Sequence, residues 1–198
     1  MATVSNSKNL TRNRGVGGVH LALIGCNHRT APLELRERVA FTSEQALEAA
    51  GELRRRGILE EAVVLSTCNR SELYGVPAAA EPSVTDAMED FLTSYHRIPR
   101  ADLHGRTYRW FGSDAVRHLY RVAAGLDSML LGEAEILGQL RAAYGQALEN
   151  GSTGPMLNRA FQGALEVGKR VRSETEVGAR PMSVALAGVK LAERVFGN

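Results

Sequence analysis

Ala62-Val-Val-Leu-Ser66-Thr67-Cys68-Asn69-Arg70-Ser71-Glu72-Leu-Tyr-Gly-Val76 holds two strand candidates, Ala62–Ser66 and Glu72–Val76, separated by a short polar segment. Upstream, Val19-His-Leu-Ala-Leu-Ile24 is an apolar run bounded by glycines and predicts a buried strand. Between these strands, Thr42 with Gln45 three residues later forms a capping-box signature. The helix it opens is expected to run through Leu47, Ala50 and Leu53 and to stop at Gly57. Downstream, Pro77 to Pro82 is an Ala-rich loop, and Ser83 with Asp86 marks a further helix start. Strand, helix, strand, strand, helix within the first hundred residues indicates an α/β or α+β unit.

After Gly112 the pattern turns helical. Val116, Leu119, Val122 and Ala123 recur at helical spacing, as do Ile136, Leu137, Leu140 and Tyr144. Breaks fall near Gly125–Asp127, Asn150–Pro155 and Gly178–Pro181, and Ser183–Phe196 reads as a short amphipathic helix. The expected class is α+β: a small sheet packed with helices, followed by a helical C-terminal segment. The expected division is a solvated tail over 1–18, a domain over 19–178 and a helical linker over 179–198.

Composition narrows the functional classes. With 198 residues, 44% hydrophobic and 23% charged, the chain is neither collagenous nor wholly disordered, and it needs no disulfide or metal staple. No apolar run approaches membrane-span length. The N-terminal segment lacks the apolar core of a signal peptide, which leads to the expectation of a cytoplasmic protein with reduced thiols at Cys26 and Cys68. Three of the 24 basic residues, Lys8, Arg12 and Arg14, lie in that acid-free segment, so the remainder is nearly neutral against 22 acids. Any nucleic-acid contact is expected to come from a local patch.

Three motif readings fail. Gly163-Ala-Leu-Glu-Val-Gly168-Lys169 has P-loop spacing, but Arg170 stands where Ser or Thr would hold magnesium, and the segment is helical in pattern. Gly15-Val-Gly17-Gly-Val-His20 lacks the third glycine of a dinucleotide fingerprint and precedes its strand instead of following it. The histidines at 20, 28, 96, 104 and 118 show no metal-ligand spacing, so no metal is expected.

Two segments carry chemistry. Cys68 follows a strand and is flanked by small polar donors and Arg70. The guanidinium there either favours the thiolate or holds a substrate carboxylate in bidentate fashion, or Cys68 is a small buried residue ending a strand. Gly125 to Gln139 interleaves polar and apolar groups around glycines. Asp127, Ser128, Glu133, Glu135 and Gln139 either converge on a polar ligand or form a solvated junction between helices.

In order along the chain, Gly25-Cys-Asn-His-Arg-Thr-Ala-Pro32, Leu35-Arg-Glu-Arg-Val-Ala-Phe41, Ser66-Thr-Cys-Asn-Arg70 and His118-Leu-Tyr-Arg-Val-Ala-Ala-Gly-Leu-Asp-Ser128 resemble the glutamyl-tRNA reductase family, the entry enzymes of the five-carbon route to tetrapyrroles. Gly132-Glu133, Ile136-Leu-Gly-Gln139 and Gly168-Lys-Arg-Val-Arg172 continue the resemblance. It implies that Cys68 attacks the ester joining glutamate to its tRNA and forms a glutamyl thioester, which NADPH reduces to glutamate-1-semialdehyde. It implies substrate contacts at Thr67, Asn69, Arg70, Ser128, Glu133, Ala134, Glu135 and Gln139, with Arg70 on the glutamate carboxylate. It gives His118 a proton-transfer or positioning role; His28 also falls in a family motif, and a structural role is expected for it.

Two departures stand out. Glu135 occupies a position where the family usually has Gln, setting a carboxylate beside an acidic substrate. The family also continues into an NADPH-binding domain and a helical dimerisation domain, and this chain stops about where the first would begin. The implied partners are glutamyl-tRNA and a separate NADPH-binding domain or protein, with the family's homodimer lacking its dimerisation domain here. The alternatives are a stand-alone glutamyl-tRNA deacylase or acyltransferase, and a non-catalytic glutamyl-tRNA-binding regulatory module. Lys169, Arg170 and Arg172, with Arg54–Arg56, are the candidate tRNA contacts, or else solvated helix faces.

Overall fold

The computed structural model describes residues 20–79, 83–133 and 135–178, with 189 and 193–194. The expected tail over 1–18 lies outside these residues, as does nearly all of 179–198, including the helix expected over Ser183–Phe196.

Four strands, β1 (Ala22–Asn27), β2 (Leu59–Thr67), β3 (Arg70–Pro77) and β4 (Tyr108–Phe111), form one sheet in the order β2-β3-β1-β4. All neighbours run antiparallel. The helices are α1 (Leu33–Arg38), α2 (Ser43–Arg55), α3 (Val84–His96), α4 (Arg100–Leu103), α5 (Ser113–Ala123), α6 (Glu135–Glu149) and α7 (Pro155–Glu174). The class is α+β.

Strands β1–β3 are buried on both faces, and the two-residue side-chain period sorts their residues between them. Ala22, Ile24 and Cys26 of β1 and Ala62 and Val64 of β2 join a core with α1, α2 and α3. Leu23 of β1, Val63 and Leu65 of β2 and Tyr74 of β3 join a second core with α5, α6 and α7. Double burial explains why Ala62–Leu65 of β2 reads as an unbroken apolar run although its sheet is antiparallel.

The capping box at Thr42 forms as expected: its hydroxyl accepts the Gln45 amide at 3.2 Å, and the Gln45 side chain accepts the Thr42 amide at 2.9 Å. The first strand is displaced from its expected position, starting at Ala22 and running through Gly25 to Asn27. Gly25 continues the strand because a Cβ there would lie 2.6 Å from Cγ of Glu72 on β3. Three elements went unanticipated. α1 and α4 have only six and four residues, and β4 is four residues long with three exposed, leaving no apolar period to detect. The P-loop-like segment is helical: Gly163 lies against the Tyr120 hydroxyl and Gly168 against the Ala123 carbonyl, seating α7 on α5.

Candidate active site

Because Thr67 pairs with Arg70, Cys68 and Asn69 form the two-residue connection of the β2–β3 hairpin. Cys68 is exposed at that tip. The loop between α5 and α6 folds over it. Gly132 donates its amide to the Gly125 carbonyl at 3.1 Å, which closes the loop's ends. Gly132 has φ +76°, and a Cβ there would fall 2.1 Å from the Val177 carbonyl oxygen, so only glycine fits. The result is a small cleft lined by Thr67, Cys68, Asn69, Arg70, Ser128, Glu133, Ile136 and Gln139.

Seven of the sequence-derived site residues thus meet in one cleft. Glu135 and His118 are not among its lining residues, and Ala134 lies outside the described residues. Ile136 was missed, since an apolar residue in a first helical turn carries no chemical signal. Glu135 is exposed in the first turn of α6. Its charge still reaches the cleft: burial, reinforced by the Glu135 carboxylate, raises the pKa of Glu133, against the pull of Arg70.

Behind the cleft lies a buried polar ladder. Arg70, Glu72 and Tyr74 alternate along β3 and so share one face. Across the sheet, Asn27 and Gly25 of β1 oppose Arg70 and Glu72, and Tyr108 of β4 opposes Gly25. With no side chain on Gly25, Tyr108 reaches over β1 to donate to Glu72. Glu72 also accepts from Arg70 Nη1 at 2.8 Å and from the Tyr74 hydroxyl at 2.6 Å, and His118 Nε2 lies 2.7 Å from the same carboxylate. Full burial alone would push this carboxyl up, but Arg70, His118 and Tyr108 together hold its pKa down at about 2. An ionised carboxylate only accepts, so His118 carries its proton on Nε2. Burial and the adjacent Glu72 charge raise both tyrosines well above their ordinary range.

Arg70 is 1% exposed. Its Nη2 donates to the Asp127 carbonyl at 2.6 Å and the Asp127 carboxylate at 3.1 Å. Both terminal nitrogens therefore serve the protein's own acceptors, and the arginine faces the cleft with its charge already balanced. Asp127 also accepts from Asn27 Nδ2 at 3.2 Å and Arg29 Nη2 at 3.0 Å. In this way the Gly25–Pro32 segment buttresses the site. Its His28 takes part through the backbone, donating its amide to the Asn69 carbonyl at 3.0 Å.

The arginines singled out for tRNA are mostly committed elsewhere. Arg54 donates to the carbonyls of Glu60 and Gly151, Arg56 pairs with Glu52, and Arg170 pairs with Glu174. Arg172 Nη2 donates to the Glu133 carbonyl at 2.6 Å, holding one wall of the cleft. Arg55 and Lys169 are exposed. Among the described residues, no group of three or more His, Cys, Asp or Glu side chains is placed to hold a metal ion. No described helix is long and apolar enough to cross a membrane.

Residues 24–175 match the family described as glutamyl-tRNAGlu reductase, N-terminal domain. The glutamyl-tRNA reductase of Marinobacter nauticus is 49% identical over 178 residues, covering 90% of this chain and 41% of that protein. That of Pseudomonas aeruginosa is 47% identical over 175 residues, 88% of this chain and 41% of its own length. The solved glutamyl-tRNA reductase from Methanopyrus kandleri superposes with a TM-score of 0.71 at 34% identity, over 90% of this chain and 41% of that one. The chain thus spans about 41% of the length of these relatives. It belongs to the glutamyl-tRNA reductase family and corresponds to that family's N-terminal domain.

Proposed function

We propose that this chain performs the acyl-transfer half of glutamyl-tRNA reduction, with glutamyl-tRNA as substrate and Cys68 as nucleophile. The carrying observation is an exposed thiol at a hairpin tip that lines the same cleft as Thr67, Asn69, Arg70, Ser128, Glu133 and Gln139. The Cys68 thiolate adds to the ester carbonyl carbon. A C–S bond forms, the bond from that carbon to the tRNA 3′ oxygen breaks, and this oxygen takes a proton as the tRNA departs. The glutamyl group remains as a thioester.

The neighbouring side chains suit this step. Thr67 Oγ1 accepts the amides of Asn69 and Arg70, so its own hydrogen is left to donate. With Ser128 and Gln139 it offers neutral donors to a developing oxyanion. Arg70, held in a fixed direction by Glu72 and Asp127, lines the cleft, and the N–H groups those bonds leave unused are the ones available to the glutamate carboxylate. His118 acts as a positioning residue, through Glu72 on Arg70.

Reduction requires NADPH, which supplies hydride when bound. The described strands all pair antiparallel, without the glycine-rich crossover between parallel strands that cradles a dinucleotide. The described residues do not fit that cofactor, and the chemistry assigned to them ends at the thioester.

The test supplies labelled glutamyl-tRNA without NADPH to the wild type and to Cys68→Ser. About one equivalent of glutamate should appear on the wild-type protein in a hydroxylamine-sensitive bond, and none on Cys68→Ser. No labelling of the wild type, or equal labelling of both, overturns the reading.

A further inference from the structure

We propose that Arg36 of α1 is a positioning residue for Cys68, holding the β2–β3 turn so that the thiol faces the cleft. The inference rests on the acyl-transfer reading above. Two-residue hairpin connections favour positive φ, which matches the turn's twist to that of its strands. Neither Cys68 nor Asn69 provides it: among the described residues, Arg97 is the sole non-glycine with positive φ. A two-residue turn with negative φ tends to splay its strands, so this one depends on contacts that grip it.

Three such contacts exist. Thr67 Oγ1 accepts the amides of Asn69 and Arg70, each at 3.2 Å, from within the hairpin. The His28 amide donates to the Asn69 carbonyl. Arg36 Nη1 donates to the Cys68 carbonyl at 2.6 Å and lies 3.3 Å from the Asn69 side-chain oxygen. Of the three, only the Arg36 contact brings a side chain from another element onto the nucleophile's own peptide group.

Arg36 also differs from the arginines near it in sequence and in the site. Arg29 and Arg70 each pair with Asp127, and Arg38 pairs with Asp102. No described carboxylate lies within ion-pair distance of Arg36, whose Nη1 is engaged by neutral oxygens beside the thiol. Charge-assisted bonds to neutral acceptors are stronger than neutral ones. The Cys68–Asn69 turn is therefore anchored to α1 by a cation that no described carboxylate draws away.

The test compares wild type, Arg36→Met and Arg36→Lys. Two quantities are read: amide hydrogen exchange at His28, Asn69 and Arg70, with α2 amides as an internal control, and the single-turnover rate of glutamate transfer to Cys68. In Arg36→Met the three amides should exchange about tenfold faster or more while α2 is unchanged. Transfer should slow by about 10- to 100-fold, because a misplacement of about 1 Å costs that order in rate, with half-saturating glutamyl-tRNA shifted less than about threefold. Arg36→Lys restores the charge and one donor and should recover part of both effects.

Unchanged exchange at the turn overturns the proposal, and unchanged exchange with raised half-saturation makes Arg36 a substrate contact instead. Faster exchange with an unaltered transfer rate overturns it too. If the wild type transfers no glutamate, the acyl-transfer reading fails, while the exchange comparison still decides whether Arg36 holds the turn.

Discussion

Glu72 is a carboxylate with no solvent contact that stays ionised because four side chains, Arg70, Tyr74, Tyr108 and His118, donate to it. Its folded pKa, about 2, lies below the ordinary 4.5. Its stabilising contribution is therefore present above about pH 4.5 and is lost as pH falls toward 2. Urea unfolding across that range should show Glu72→Gln with a flatter acid limb than wild type, and with stability at neutral pH lower by about 3 kcal/mol. An acid limb identical to that of wild type would remove Glu72 from the centre of the network. Cys68 and Arg70 were legible as chemistry because they sit together on the sequence. Glu72 was not, since its partners Tyr108 and His118 are 36 and 46 residues away. The available signal was the alternation of Arg70, Glu72 and Tyr74 along an otherwise apolar strand.

Helices α2 and α7 contrast in how their starts are satisfied. The α2 cap is local, and Thr42 with Gln45 announced it. The N-cap residue of α7 is Gly154, which has no side chain to offer, and the cap comes from β2. Glu61 accepts the amides of Met156 at 3.2 Å and Leu157 at 2.7 Å from 95 and 96 residues away. A carboxylate at a helix N-terminus is favoured by both these bonds and the helix dipole. Glu61→Ala should therefore lower unfolding stability by about 1–3 kcal/mol and speed amide exchange at Met156 and Leu157 before that in the rest of α7. Uniform protection along α7 in the variant would show that packing alone fixes this end. Remote capping of this kind leaves no pattern in the helix's own sequence, so the start of α7 was legible only from the break at Asn150–Pro155.

Across the molecule, apolar periodicity revealed that strands and helices exist, but not which helices cover which side of the sheet. Two cores, one under α1–α3 and one under α5–α7, emerge only once pairing aligns the strands. The same long-range order recasts the charge distribution. Arginines that read as a phosphate-binding surface are bonded to the protein's own carbonyls and carboxylates. Within those two clusters Arg55 and Lys169 remain exposed, so reversing both charges should make the log–log salt slope of glutamyl-tRNA binding shallower by about 2 if the clusters meet its phosphates. An unchanged slope would show that the tRNA phosphates meet neither cluster.

The short edge strand β4 adds a practical consequence. It carries the chain's single tryptophan, Trp110, two residues from Tyr108 on the same side of the sheet and 38% exposed. An indole two strand positions from the tyrosine that donates to Glu72 offers an intrinsic fluorophore beside that cluster. A change in its emission on acidification or on adding ligand would follow the cluster with no dye attached.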